Sequence, residues 1–448
     1  MLKVALIGSG PAGVYAAAAL IPHGDVLIDV FERLPCPFGL VRYGVAPDHP
    51  RIRSISTALQ EVLEDPAVRF FGNVEVGTQI TLEELHLLYD AVILTCGAMV
   101  PRRLGVPGEN LEGSYSATDL VAWYCGHPDA PIDRFTLQAS SVAVVGSGNV
   151  ALDVTRMLAK SVDELRQTDM PEHVLKVLER SRVRDIHLIG RRGPLEAKFT
   201  TKELREVGEL SNADVLLDPQ ELALDDASRE RLTAADRVGR RNFEVLQEWA
   251  KRRPTGRPRR IHVRFMLRPV EILGDVEVSG LRLERTRLDQ ARLAKGTGEM
   301  RTLDASMVLG AVGHRGVSIP GIPVDEKTGI VPSVGGRVVR AGSAVPGEYV
   351  AGWIKRGATG VIGTNKSDAK ETVTALLEDA RSLPPAPVRD PDAVLHLLAE
   401  RGVSLVTWQG WTAVERAEAH LGQLQGRERA KIADREALLQ AAAGGAAG

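Results

Sequence analysis

The chain has 448 residues, 44% of them hydrophobic and 25% charged, with a formal charge of −2. That length exceeds one simple core and predicts two or three domains of ordinary soluble composition. The near-neutral charge argues against general binding to nucleic acid or anionic membrane, and no apolar run reaches the ~18 residues of a membrane span.

The first strand, "KVALI", starts by Lys3, so no targeting segment is expected before it. It runs into "GSGPAG", where Gly8 allows a tight turn, Gly10 lets the backbone approach a pyrophosphate and Gly13 lets helix and strand pack closely. The helix that follows, from Ala12 to about Pro22, points its N-terminus at the phosphates. The next strand, "VLIDVF", ends at Glu32, whose carboxylate suits the hydroxyls of a ribose. Cys36, Cys96 and Cys125 are widely spaced and make no CxxC pair, which argues against a disulfide framework, a zinc site or an iron–sulfur cluster and favours a reducing cytoplasm.

After "YDAVILTCGA", the Gly- and Pro-rich "RRLGVPGENLEG" (102–113) marks a connection between domains. A second strand and glycine turn, "SVAVVGSGNVALDV", then repeats the device with alanine in the third position, at Ala151. The following strand, "VRDIHLIGRR", is delayed by a helical insert and ends differently, on Arg191 and Arg192. Two planar forks of donors there suit the 2′-phosphate of NADP(H), where an acid would suit plain ribose. FAD on the first turn and NADPH on the second would let a hydride pass between them. A return connection at "AVGHRGVSIPGIP" (311–323) closes the second region. The fold class expected is therefore α/β, with two Rossmann-like domains of parallel sheets and helices on both faces. The NADP domain (104–311) is inserted into a split FAD domain (1–103 and 312–448).

Within the insert, 229–260 holds eleven cations against four acids, a local balance of +7. Further on, "YVAGWIKRGATGVIGTNKSDA" ends in a helix starting near Thr364 or Asn365, whose positive end suits the N1/O2 edge of a reduced flavin, with Trp353 as a cover for the ring. A helical tail follows "LPPAPVRDPD" and ends in "AAAGGAAG", expected to fray.

The stretches "GSGPAG", "PFGLVRYGVAPDHPRIRSIS", "FFGNVEVG", "GSGNVALDV", "GRRGPLEAKFTTKELRE" and "YVAGWIKRGATGVIGTNK" resemble the adrenodoxin-reductase-type NADPH–ferredoxin reductases from residue 4 to about 380; the tail is matched loosely. The resemblance implies FAD contacts at Ala12, Glu32, Leu40, Val76, Trp353, Gly360, Val361 and Ile362. It implies NADP contacts at Arg102, Ser147, Gly148, Asn149, Val150, Arg191, Arg192, Glu203 and Gly360. His49, in a proline turn, and Glu203, on the sequence alone an exposed helix carboxylate, are implied to place the nicotinamide and to manage protons on reduced flavin. Such an enzyme passes a hydride from NADPH to FAD and single electrons on to an acidic ferredoxin. Arg205, Arg237, Arg240 and Arg241 are the docking candidates, with Arg42, Arg51 and Arg53 held in reserve. The oligomeric state is left open, a monomer being the simplest expectation. Three alternatives remain. A disulfide reductase needs a redox cysteine pair, and an electron-entry subunit like that of glutamate synthase needs a cysteine-rich segment before the first turn. A non-catalytic nucleotide-binding scaffold would be colourless.

Overall fold

The computed structural model describes residues 1–234, 237–316 and 319–444, apart from the side chain of Arg51. Asp236, one of the four acids in the charge count, and 445–448 of the tail lie outside the described residues. The chain divides into two compact units, Met1–Pro101 with Cys125–Asp129 and Gly313–Gly448, and Arg102–Tyr124 with Ala130–Val312. The short excursion at Cys125–Asp129 has no signal in the sequence.

In the first unit a seven-stranded sheet runs Ser333–Val334, Arg337–Arg340, Ser343–Val350, Ala91–Leu94, Leu2–Ile7, Val26–Glu32, Val68–Gly72. Its last five strands are parallel. Side chains alternate across it, as the two-residue period of a strand requires. Val4 and Leu6 enter one buried cluster with the helices Pro11–Leu20 and Thr364–Asp379, while Ala5 and Ile7 enter another with the helix Leu82–Leu88. Leu2–Ile7 lies between Ala91–Leu94 and Val26–Glu32, so the first glycine turn leaves the sheet where the order of connection reverses, the usual place for a ligand in an open parallel sheet.

The second unit repeats the plan with six parallel strands, Ser114–Ser116, Met307–Gly310, Ser141–Val145, Asp185–Ile189, Arg259–Arg264 and Ala213–Leu217 in spatial order. Here one expectation is corrected. One face is covered by a three-stranded antiparallel sheet, Leu267–Leu273, Gly280–Leu288 and Ala294–Leu303, rather than by helices. Ala143, Val145, Ile189 and Val308 pack there against Leu267, Ile272, Leu281 and Leu283. The delay before Arg191 is filled by the helices Val162–Leu165 and Glu172–Glu179.

The tail forms helices Ala393–Glu400, Trp408–Leu424 and Arg435–Ala443, and the last of these includes residues expected to fray. Trp411, Val414 and Leu438 are buried in the core cluster that also holds Val4.

Candidate functional sites

At the first turn, Gly8 sits at φ +112° and a Cβ on it would meet the Thr95 carbonyl oxygen at 2.7 Å. A Cβ on Gly13 would fall 2.0 Å from the Gly8 carbonyl oxygen, so glycine is required for the helix to start so close to the strand. Gly10 faces open space. Glu32 is drawn in at the end of its strand. Its Oε2 accepts from the Ser9 amide (3.1 Å) and hydroxyl (2.7 Å), and its Oε1 accepts from the Leu34 amide (3.1 Å). A carboxylate offers about four lone-pair sites, so capacity remains for a ribose hydroxyl.

Two other segments close on this turn. The Phe38 amide donates to the Ser9 carbonyl at 3.1 Å, and a Cβ on Gly39 would lie 3.2 Å from the Gly10 Cα. Leu40 opens the short helix Leu40–Tyr43 directly after this contact. A Cβ on Gly352 would meet the Ala12 Cβ at 2.6 Å, which sets Trp353 beside the turn. Trp353 lies 6.2 Å, ring to ring, from His314, whose pKa is lowered by burial. Gly360, Val361 and Ile362 run into the helix Thr364–Asp379; Val361 is exposed and Ile362 packs on the core. Val76 is buried in the opposite cluster, against the face that holds Ile7 and Phe31. His49 is buried and precedes the short helix Pro50–Arg53.

At the second turn, Gly148 caps the helix Asn149–Ala159 and likewise faces open space. Val150 lies in the first turn of that helix. The Ser147 carbonyl accepts from the Lys198 amide at 2.8 Å, and the Asn149 Oδ1 accepts from the Thr200 amide at 2.9 Å. The Thr200 hydroxyl donates to Glu203 Oε2 at 2.7 Å. Asn149, Thr200 and Glu203 thus form one chain of hydrogen bonds. Thr200 had no marker in the sequence beyond its place before a helix. The Arg191 side chain is exposed and makes no hydrogen bond or ion pair among the described residues, whereas Arg192 reaches the Glu196 carbonyl at 3.4 Å. Their backbone is fixed from the antiparallel sheet, with Thr286 Oγ1 donating to the Arg191 carbonyl (2.9 Å) and the Met266 amide to that of Arg192 (3.2 Å). Arg102 is exposed. His49 belongs to the first unit and Glu203 to the second.

Both turns fit the nucleotides expected of them. The helices that start at Pro11 and Asn149 have no side-chain cap, and Gly10 and Gly148 leave open space before them, where a phosphate would meet the positive end of the helix. The cysteines fit no redox pair: none of the three is in a disulfide, burial raises Cys36, and burial pushes Cys96 up to about 12, so no thiolate is available at those two at neutral pH.

The charged segment is less basic than its count. Arg229 pairs with Asp226, Arg231 with Glu196 and Arg260 with Asp185, while Arg257 is held by the Ala213 carbonyl and lies 3.9 Å from Asp214; Arg259 is buried. Arg237, Arg240 and Arg241 stand exposed on the helix Arg237–Lys251, and Arg205 on the helix Thr201–Gly208; none has an ion-pair partner among the described residues. Of the reserve arginines, Arg42 is buried in an ion pair with Glu418, Arg53 is half-buried and donates to the Val45 carbonyl at 2.8 Å, and the side chain of Arg51 is outside the described set.

The model of the pyridine nucleotide-disulphide oxidoreductase family matches residues 2–206. The NADPH-ferredoxin reductase FprA of Mycobacterium tuberculosis is 43% identical over 98% of both chains. The mitochondrial NADPH:adrenodoxin oxidoreductase of Arabidopsis thaliana is 39% identical over 99% of this chain and 95% of its own. The solved structure of Mycobacterium tuberculosis FprA in complex with NADPH superposes with a TM-score of 0.94, at 43% identity over 99% of both chains. With two dinucleotide turns, no cysteine pair and likeness along its whole length, the chain belongs to the family of NADPH–ferredoxin and NADPH:adrenodoxin reductases.

Proposed function

We propose that the chain is an NADPH–ferredoxin oxidoreductase with FAD on the turn Gly8–Gly13 and NADP(H) on the turn Gly146–Ala151. The observation that carries this reading is the contrast at the two strand ends: Glu32 drawn in beside one turn, and beside the other Arg191, exposed and without a side-chain partner among the described residues. Bound FAD would accept the electrons of NADPH as a pair and release them singly, which an iron–sulfur acceptor requires. The protein's own part is to bind and orient. Gly10, Gly39 and Gly352 let the backbone come close, and Ala12, Leu40, Val76, Trp353 and 360–362 line the flavin. Ser147 to Val150, with Arg102, Arg191 and Arg192, hold the coenzyme, and His49 and Glu203 place the nicotinamide. The Asn149–Thr200–Glu203 chain supports that role for Glu203, because it ties the carboxylate to the turn that seats the coenzyme.

The partner in this reading is an acidic ferredoxin, docked on Arg205, Arg237, Arg240 and Arg241. Arginines without an ion-pair partner among the described residues suit carboxylates, and these stand on two helices of the coenzyme unit. Action in the cytoplasm as a monomer belongs to the same reading.

The test is direct. Purified protein should be yellow, release its flavin on acid precipitation, bleach with NADPH without oxygen, and reduce cytochrome c faster when a ferredoxin is added. Colourless protein, or a flavin that NADPH leaves oxidised, would overturn the reading.

A further inference from the structure

The C-terminal segment does more than complete a core. Glu418, on the helix Trp408–Leu424, is fully buried, and its carboxylate takes both terminal nitrogens of Arg42, at 2.5 Å to Oε1 and 3.1 Å to Oε2. The Ile432 amide donates to the same Oε1 at 3.0 Å. Lys431, also buried, donates to the Arg42 carbonyl at 2.6 Å and to the Cys125 carbonyl at 3.1 Å. The chain can fold back this tightly because Gly422 has no side chain; a Cβ there would lie 2.5 Å from the Arg429 Cα. Trp411 completes the contact, with its ring 4.9 Å below the Arg42 guanidinium and edge-on to Phe38 at 5.9 Å.

The contacts that leave the tail fall chiefly on Arg42 and Phe38, the residues that bracket Gly39 and Leu40. Phe38 is bonded to Ser9, and Gly39 rests on Gly10, so this is the segment that closes over the first glycine turn. Phe38 and Gly39 both have positive φ, 78° and 48°, a conformation that a non-glycine residue adopts only when its surroundings impose it. A buried carboxylate held by a guanidinium fork fixes direction as well as distance.

We propose that Glu418 and Lys431 are positioning residues for the flavin. The C-terminal helices act as an outer clamp that presses the Phe38–Tyr43 segment onto the pyrophosphate turn, and they act through Arg42 without touching the cofactor. The proposal rests on the reading that the turn Gly8–Gly13 seats FAD.

The experiment measures free flavin fluorescence after dilution of the holoenzyme, with thermal midpoints and kcat at saturating added FAD. The variants are Glu418→Gln, Lys431→Met and the paired Arg42→Met/Glu418→Leu, which removes both charges of the buried ion pair together and leaves Lys431 on its two carbonyls. Arg389→Ala is the control, since it frees the tail's first stretch from Asp90 at the far end of the strand Ala91–Leu94. The expected result is at least about 10-fold weaker FAD retention in Glu418→Gln, a smaller loss in Lys431→Met, and recovery of kcat when FAD is added. Arg389→Ala should lose thermal stability but keep its flavin. The paired variant should melt near wild type and still leak FAD. If it retains FAD as wild type does, or if Arg389→Ala leaks equally at a matched midpoint, the clamp is wrong and the tail is only part of the core. Wild-type protein without FAD would instead remove the underlying reading.

Discussion

The two glycine turns are the same backbone device in different settings, and the difference lies at the end of the next strand. At the first, Glu32 is folded inward onto Ser9 and Leu34, and the third glycine is indispensable because Gly13 sits against Gly8. At the second, alanine fills the third position, and the strand end carries Arg191 and Arg192, braced from behind by Met266 and Thr286. In the proposed reading the turn supplies affinity for a diphosphate and the strand end decides which nucleotide is held, so that one unit would keep a cofactor while the other exchanges a coenzyme.

The comparison breaks first at Gly13. Gly13→Ala should give protein without bound flavin, read by absorbance at purification, because its Cβ has no room beside Gly8. The second turn already tolerates alanine at the matching place. Next comes the strand end. Arg191→Ala and Arg192→Ala should each lower kcat/KM for NADPH about 10- to 100-fold, as expected for a lost charge-assisted bond of roughly 1.5–3 kcal/mol. NADH, lacking the phosphate, should change far less, and an equal loss for both coenzymes would remove the clamp. A smaller effect, about 10-fold on flavin reduction in stopped flow with FAD content full, is expected for His49→Ala and Glu203→Ala, since misplacing a bound reactant slows its reaction. Thr200→Val should act in the same direction as Glu203→Ala if the chain from Asn149 positions that carboxylate. The smallest effect is docking. Arg237→Glu or Arg240→Glu should raise the KM for ferredoxin several-fold at low salt, and salt should erase the difference from wild type as the Debye length falls. Ferricyanide reduction should not change.

What was legible in the sequence was what local pattern encodes. The strand–glycine–helix units and the contrast between Glu32 and Arg191 follow from residue type at a fixed place on a strand, and the structure has those places. What was not legible depends on pairing at a distance. The charge of 229–260 was overcounted because Asp185, Glu196, Asp214 and Asp226, which lie against its arginines, all fall outside that window. The antiparallel sheet was hidden because strands such as Gly280–Leu288 carry arginines on their outer face and look like solvated loop. The tail gave no functional sign because Arg42 and Glu418 stand 376 residues apart. Thr200 carries no local signal beyond its place before a helix, which its side chain caps.

The central claim is that the two turns hold different nucleotides, and binding of adenosine 2′-phosphate to the flavin-loaded protein tests it most directly. Calorimetry should show binding to wild type and at least about 10-fold weaker binding to the Arg191→Ala/Arg192→Ala variant, with the flavin absorbance of both unchanged. Equal affinity in the two proteins, or loss of flavin from the variant, would contradict the assignment.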